Sequence, residues 1–534
     1  MERFRERTAA AKENLKSKRH ISGWVLPKEQ ASFASEGSWT NIDLDVVPIE
    51  RRTWSAYTIV GYWMSDILNV QSWEIAATVI AVGLTWRESI LALVLGAFIM
   101  AIPMAFNGAA GAYLHVPFPV IARSSFGYHF SKFPVVIRCI TALFWHAIQT
   151  YTGSTALTQM IRAIWPSYLD MPNHISPSMG ITSQQLVSHF LFWTIQFPFL
   201  LVPPHKLRWF FLFKTVIVSC AAVGTTIALC VMAHGAGDIW KQEATVSGSQ
   251  KSWLIMYSIT SCTGSWSTVG TNISDFSRYL KNPRAVWTQT FWFPFICIWL
   301  GLLGIITTSA SKTLYGRAGA FFCGLAWTVA QIGVNVSANV ISCSHDLTSL
   351  FPKFINLRRA AIIITITGAW IMVPWKIVHS ATSLLSFMAS LGIFLSPIIA
   401  ISVADYWIVK KRHIDVPALY RPHGRYQFGN YGINWRSVVA LLVSVGPNMP
   451  GMVQSIKPAT NIGGAVYISY MVWFYGFSSA FVTLVVLSWA WPDKSVLIPK
   501  TIYTDDDIID GREEQGADEG LEKELAKEEV RSFN

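Results

Sequence analysis

Charge is what this sequence has least of. Only 14% of its 534 residues are Asp, Glu, Lys or Arg, against 52% hydrophobic, and the mean hydropathy is +0.37. Soluble chains carry about 25% charged residues, so a string of soluble domains is excluded in favour of one lipid-solvated unit. Paired cysteines are missing too. The seven (Cys139, Cys220, Cys230, Cys262, Cys297, Cys323, Cys343) all fall in apolar runs, without CxxC spacing or accompanying His. That pattern suits small buried hydrophobes and argues against a disulfide framework or a metal site. Also lacking are a Gly-rich phosphate loop and a Ser or Cys nucleophile beside a base, which removes the usual signatures of an enzyme and of a bound cofactor. The first 50 residues are polar and charged, so no cleavable leader is expected.

What the chain has is apolar length. Runs of about 20 residues suffice to cross a bilayer, and twelve can be placed: 54–83, 88–112, 133–163, 183–203, 207–234, 252–280, 285–308, 318–346, 360–376, 380–407, 436–454 and 465–491. The expectation is an all-α polytopic membrane protein. The formal net charge of +11 fits basic loops on one membrane face better than nucleic-acid binding. "KLRWFFLFK", "SRYLKNPR", "FPKFINLRR" and "VKKRHIDVPALYRPHGR" all fall on one face, whereas loop 165–182 has neither Lys nor Arg. Even parity and this bias place both termini in the cytosol. Residues 1–50 and 492–534 read as cytosolic tails and 408–435 as a cytosolic loop. The C-terminal tail is strongly acidic; its Lys523 and Lys527 are possible modification sites, and trafficking or ubiquitination machinery is the partner such a tail would meet.

Two segments are interrupted. The first contains Ser65, Asp66, Asn69, Gln71 and Ser72; the sixth contains Thr263, Gly264, Ser265, Ser267, Thr268 and Gly270. They lie five segments apart, the pattern of inverted five-helix repeats with a ligand site between two broken helices. Asp66, a carboxylate at membrane depth, is a proton-coupling candidate, with capping of the broken helix as the alternative. In segment 3, Trp145 and Gln149 are four residues apart and share a helical face. Segment 8 places Asn335 and Asn339 four apart, with Gln331 one turn earlier. Amides that donate and accept, beside an indole face, suit a flat heterocycle with ring N–H and C=O groups. The alternative is amide-to-amide glue between helices. His146, about 100° round the helix from Trp145, reads as a packed histidine, and His345-Asp346 as a helix-end pair. The glycosylation-like "NIS" at Asn272 and "NVS" at Asn335 fall inside spans.

Several stretches carry a family resemblance: "NIDLDVVPIERRTWSAY", "LNVQSWEIAATVIAVGLTW", "NISDFSRYLKNP", "SANVISCSHDLTSLFPKFINLRR" and "ADYWIVKKR". Together they resemble the nucleobase–cation symporter family one, of the fungal uracil and allantoin permease type, over residues 40–415 and more loosely to 491. The resemblance implies a leucine-transporter-like core of ten helices in a 5+5 inverted repeat over 51–407, with two accessory helices in 436–491. It implies that Trp145 stacks on the substrate and that Gln149 and Asn339 bind it, with Gly264, Ser265 and Asn69 lining the same site. Where a bacterial relative has a second stacking aromatic in segment 6, Ser265 stands here. Phe387 and Met388 map to an outer gate, and Arg138 with Asp43 and Asp45 to a cytosolic gate. In sodium-driven relatives the ion uses carbonyls mapping near Ser65 and Leu68 and two adjacent hydroxyls of segment 8. Those hydroxyl positions are Gly333 and Val334 here, which offer a hard cation no side-chain oxygen, and this points to a proton. The resemblance thus implies a proton-coupled importer of uracil, allantoin or a related base at the plasma membrane. A larger heterocycle (a nucleoside, thiamine or nicotinamide riboside) and a non-transporting nutrient sensor are the alternatives.

Overall fold

The computed structural model describes residues 24–28, 33, 40–202, 208–310, 317–457 and 459–504. Most of both expected tails, including Lys523 and Lys527, lies outside the described residues. Segment 1 is two helices, α1 (Ala56–Ile67) and α2 (Val70–Ala81). Then come α3 (Trp86–Leu114), the short α4 (Phe118–Phe126), α5 (Lys132–Ile164), α6 (Ser183–Leu200) and α7 (Arg208–Met232). The second half begins with α8 (Gly248–Ser265) and α9 (Ser267–Asn272), and continues through α10 (Gln289–Ala310), α11 (Arg317–Val334) and α12 (Ser342–Leu350). It ends with α13 (Leu357–Ile371), α14 (Ala381–Ala404), α15 (Trp435–Ile456) and α16 (Val472–Ala490). Among the described residues, eight helical stretches are long and apolar enough to cross a membrane. Segments 1, 4, 6 and 9 are helical as well, but interrupted or short.

The break in segment 1 is held by one side chain. Asn69 leaves the helical path (φ −145°, ψ 166°), and its Oδ1 accepts from the Ser72 amide at 3.0 Å while its Nδ2 donates to the Asp66 carbonyl at 2.8 Å. One orphan donor of α2 and one orphan carbonyl of α1 are thereby satisfied inside the protein. The sixth segment is less open than its composition suggests, with only Trp266 separating α8 from α9. Gly264 explains why it stays tight. A Cβ there would press on the Met388 backbone, 3.3 Å from its carbonyl carbon and nearer still to the oxygen. Segment 8 departs from the expected α-helix, because residues Asn335–Ile341 between α11 and α12 form a π-helical turn. Such a wide turn rotates side chains relative to α-helical spacing.

Helices of the two halves interlock. α5 packs along α11 and α6, α3 along α10 and α8, and α14 along α16 and α8. On the side of the expected cytosolic loops, the chain before α1 is pinned to the end of segment 6: the Trp54 amide donates to the Tyr279 carbonyl and the Lys281 amide to the Trp54 carbonyl, both at 2.9 Å. Loop 408–435 is equally anchored. Its Val416 amide donates to the Ile502 carbonyl at 2.9 Å, and Tyr420 donates to the Leu44 carbonyl at 2.9 Å.

Gly304 of α10 sets the closest approach to the broken helix. A Cβ there would lie 3.0 Å from the Trp73 carbonyl carbon and closer to its oxygen. Gly304→Ala should therefore force α2 outward at a cost of about 1–3 kcal/mol. Gly61→Ala is the matched comparison, since nothing lies within 4 Å of its Cβ position. Thermal midpoints in detergent should fall for the first variant only, and equal midpoints would contradict this packing.

Candidate functional site

The two breaks face one cavity between α1–α2, α5, α8–α9 and segment 8. Trp145, Gln149, Asn339, Asp66, Ser265 and Met388 all line it. The structure thus brings together most of the residues expected to bind substrate. The Trp145 ring meets Phe387 edge-on, centroids 5.7 Å apart at 71°, so the two expected outer-gate residues sit directly against the indole and the cavity. Trp145 Nε1 and Gln149 Oε1 are buried without a hydrogen-bond partner.

Other expected residues sit differently. Asn69 lines the cavity, but its amide spans the helix break as described. Gly264 faces Met388 of α14, and the hydroxyl of Ser265 donates to the Cys262 carbonyl at 2.7 Å. The neighbouring Trp266 supplies the second aromatic wall that Ser265 lacks, edge-to-face with Trp63 and Phe293. The only sequence signal for it was a Trp embedded in a run of Ser, Thr and Gly.

Segment 8 contains both kinds of amide. Gln331 bridges α11 to α5 and α2: its Nε2 donates to the Thr152 hydroxyl and, at 3.3 Å, to Gln71 Oε1. Asn335 binds Thr150 and Gln196, and only Asn339 reaches the cavity. Glue and site are one turn apart. Asn272 and Asn335 are fully buried, as their position inside spans requires of the glycosylation-like motifs. His146 is buried against Gly368 of α13, a packing position.

Lys214 was counted among the cytosolic basic stretches; the structure puts it elsewhere. Its side chain is fully buried, and Nζ donates to the Ser65 carbonyl at the end of α1. The stem fills the space beside Gly333, where a Cβ would lie 2.9 Å from Lys214 Cε and 3.0 Å from Nζ. Asp66 carries the opposing charge that Lys214 feels. Asp66 Oδ1 lies 2.9 Å from the Ser337 hydroxyl, and Oδ2 has no partner. Lys214 Nζ thus sits on the Ser65 carbonyl, which the resemblance maps near the sodium-binding carbonyls of sodium-driven relatives.

The cytosolic network also differs from expectation. Arg138 pairs with Asp346 of α12, both fully buried, rather than with Asp43 and Asp45. The N-terminal segment is held through backbone instead: Arg278 donates to the Asp43 carbonyl at 3.0 Å and also contacts His345 Nε2 at 3.2 Å. A buried guanidinium needs a carboxylate within reach, and α12 packs directly against α5. His345-Asp346 is accordingly an element of this network.

A family model described as permease for cytosine/purines, uracil, thiamine, allantoin matches residues 46–473. An uncharacterized permease of Schizosaccharomyces pombe is 35% identical over 87% of this chain and 86% of its own. The uracil permease of Saccharomyces cerevisiae is 32% identical over 85% and 76%. The allantoin permease of the same yeast is 31% identical over 88% and 78%. Among solved structures, Mhp1, a nucleobase-cation-symport-1 family transporter in a closed conformation with bromovinylhydantoin bound, superposes with a TM-score of 0.66 at 20% identity. That match covers 86% of this chain and 98% of Mhp1, so the leucine-transporter-like fold is shared. A polytopic helical chain broken around a central cavity, matched over most of its length by permeases, belongs to the family of permeases for cytosine and purines, uracil, thiamine and allantoin.

Proposed function

We propose that the chain is a proton-coupled importer of a flat heterocycle of the uracil or allantoin type, working by alternating access in the plasma membrane with both termini cytosolic. The observation that carries this reading is the cavity at the two breaks, lined by Trp145, Trp266, Gln149 and Asn339, in which the Trp145 indole N–H and Gln149 Oε1 have no protein partner. Two aromatic faces accept a planar ring, and amides supply donor and acceptor to its edge. The relatives named uracil permease and allantoin permease support the substrate class. Met388 lines the cavity and Phe387 packs on Trp145, an arrangement that suits an outer gate.

Coupling to protons rests on Lys214 and Asp66. Gly333 leaves room for the lysine stem, and the ammonium occupies the carbonyl that a sodium ion would need. With Asp66 ionised and Lys214 charged the pair is neutral; a proton taken up by Asp66 raises its net charge by one, the increment a bound sodium would bring. Uptake should therefore rise as external pH falls, collapse with a protonophore and be indifferent to replacing sodium by choline. Gly333→Ser should abolish it by colliding with Lys214. Sodium-dependent uptake at constant pH would overturn this coupling.

Radiolabelled uptake in cells lacking their own permeases, with unlabelled bases, nucleosides, allantoin, thiamine and nicotinamide riboside as competitors, tests the substrate class. Strongest competition by a base or allantoin is expected. Strongest competition by a ribosylated compound would enlarge the substrate, and binding without uptake would identify a sensor. Trp145→Phe should keep measurable transport and Trp145→Ala lose it, because stacking needs only a π-face. Equal activity of the two variants would remove Trp145 from the site.

A further inference from the structure

Behind Asn339 runs a chain of buried polar groups whose direction is fixed at its far end. The Thr150 hydroxyl donates to the His146 carbonyl at 2.7 Å, so its single proton is used. Its oxygen can then only accept, and two amides point at it: Gln196 Nε2 at 3.0 Å from α6 and Asn335 Nδ2 at 3.1 Å from segment 8. Asn335 Nδ2 also donates to Gln196 Oε1 at 3.0 Å, which uses both of its hydrogens. Asn335 Oδ1 is thereby left as the acceptor for Asn339 Nδ2 at 2.9 Å. Thr150, Gln196 and Asn335 are all fully buried, so water offers no alternative partner.

Reversing any amide in this chain would set an oxygen against an oxygen. Turning Gln196 or Asn335 over places a carbonyl against a hydroxyl that has no proton left, and turning Asn339 alone faces its oxygen to Asn335 Oδ1. In a dry interior each such mismatch leaves buried polar groups unpaired, which costs about 1–3 kcal/mol. One polarity survives. Asn339 Nδ2 spends one hydrogen on Asn335, and Oδ1, for which the protein supplies no donor, is the acceptor left for a ligand.

We propose that Thr150, Gln196 and Asn335 are positioning residues that fix Asn339 as a hydrogen-bond acceptor, so that the cavity selects heterocycles presenting a lactam edge (ring N–H beside C=O) over those presenting an amidine edge (bare ring N beside NH2). This rests on the reading of the cavity as a heterocycle site, with Asn339 in contact with the ring edge. A ring N–H facing Asn339 Oδ1 is paired; a bare ring nitrogen there meets a second acceptor. Gln149 also lines the cavity, and its Nε2 can donate to the neighbouring C=O. None of the three relay residues touches the ligand, so their effect is on discrimination.

The test uses two matched pairs of probes, uracil with cytosine and hypoxanthine with adenine, each a lactam and its amidine counterpart. Inhibition constants against uptake of labelled uracil are measured in cells expressing the full chain, with surface abundance recorded. The wild type should favour the lactam of whichever pair fits the cavity by about 5–150-fold. Thr150→Val and Gln196→Met should compress that ratio toward one by raising the lactam constant, whereas Thr150→Ser, which keeps the hydroxyl, should retain it. Purified protein in nanodiscs, assayed for equilibrium binding of the same probes, provides the readout if a variant is poorly transported to the surface. A wild-type chain that takes amidines as well as lactams overturns the proposal, as does an unchanged ratio in Thr150→Val and Gln196→Met. If none of the four bases binds the wild type, the heterocycle reading itself fails, an outcome distinct from loss of discrimination.

Discussion

A helix that stops in the middle of a bilayer exposes amides and carbonyls that lipid cannot hydrogen-bond. Everything at the centre of this protein follows from how those groups are satisfied. Asn69 takes one from each side of the break in segment 1. Lys214 takes the Ser65 carbonyl at the end of α1, reaching it from α7 across the face of Gly333. Trp145 Nε1, Gln149 Oε1 and Asp66 Oδ2, which have no protein partner, belong to residues that line the cavity at the breaks, the proposed substrate site.

The same accounting sorts the polar side chains around it. Gln71, Thr152 and Gln331 are spent on each other and knit α2, α5 and α11 together. Thr150, Gln196 and Asn335 are spent on orienting Asn339. Trp145 Nε1 and Gln149 Oε1 remain unspent although buried. An intramembrane amide is therefore no sign of a ligand by itself; the informative ones are those that line the cavity and lack a partner. Arg138 and Asp346 pair through Asp346 Oδ2 between α5 and α12, while Arg138 Nη1 and Asp346 Oδ1 have no partner.

Much of this was legible in the sequence. The interrupted compositions of segments 1 and 6, five segments apart, located the cavity, and the four-residue spacing of Trp145 and Gln149 gave one wall of it. What escaped has physical reasons. Lys214 belongs to "KLRWFFLFK", and a lysine next to a basic loop looks solvated until the fold shows which carbonyl it reaches. The π-helical turn at Asn335–Ile341 is invisible to a 3.6-residue period, although the Asn335–Asn339 contact survives it. Trp266 was overlooked because the correspondence with a second aromatic was sought one residue earlier, at Ser265. The partner of Arg138 depends on which helix lies next to α5, a matter of tertiary packing that no local pattern encodes.

The central claim is that the cavity at the two breaks holds a planar heterocycle between aromatic walls. A cryo-EM structure of the full chain in nanodiscs, with the heterocycle that competes most strongly in uptake, tests it most directly. The account predicts planar density against the Trp145 indole, with one ring edge facing Gln149 and Asn339 and Trp266 opposite. Ligand density outside this cavity, or an empty cavity in a sample that binds the ligand stoichiometrically, would contradict it.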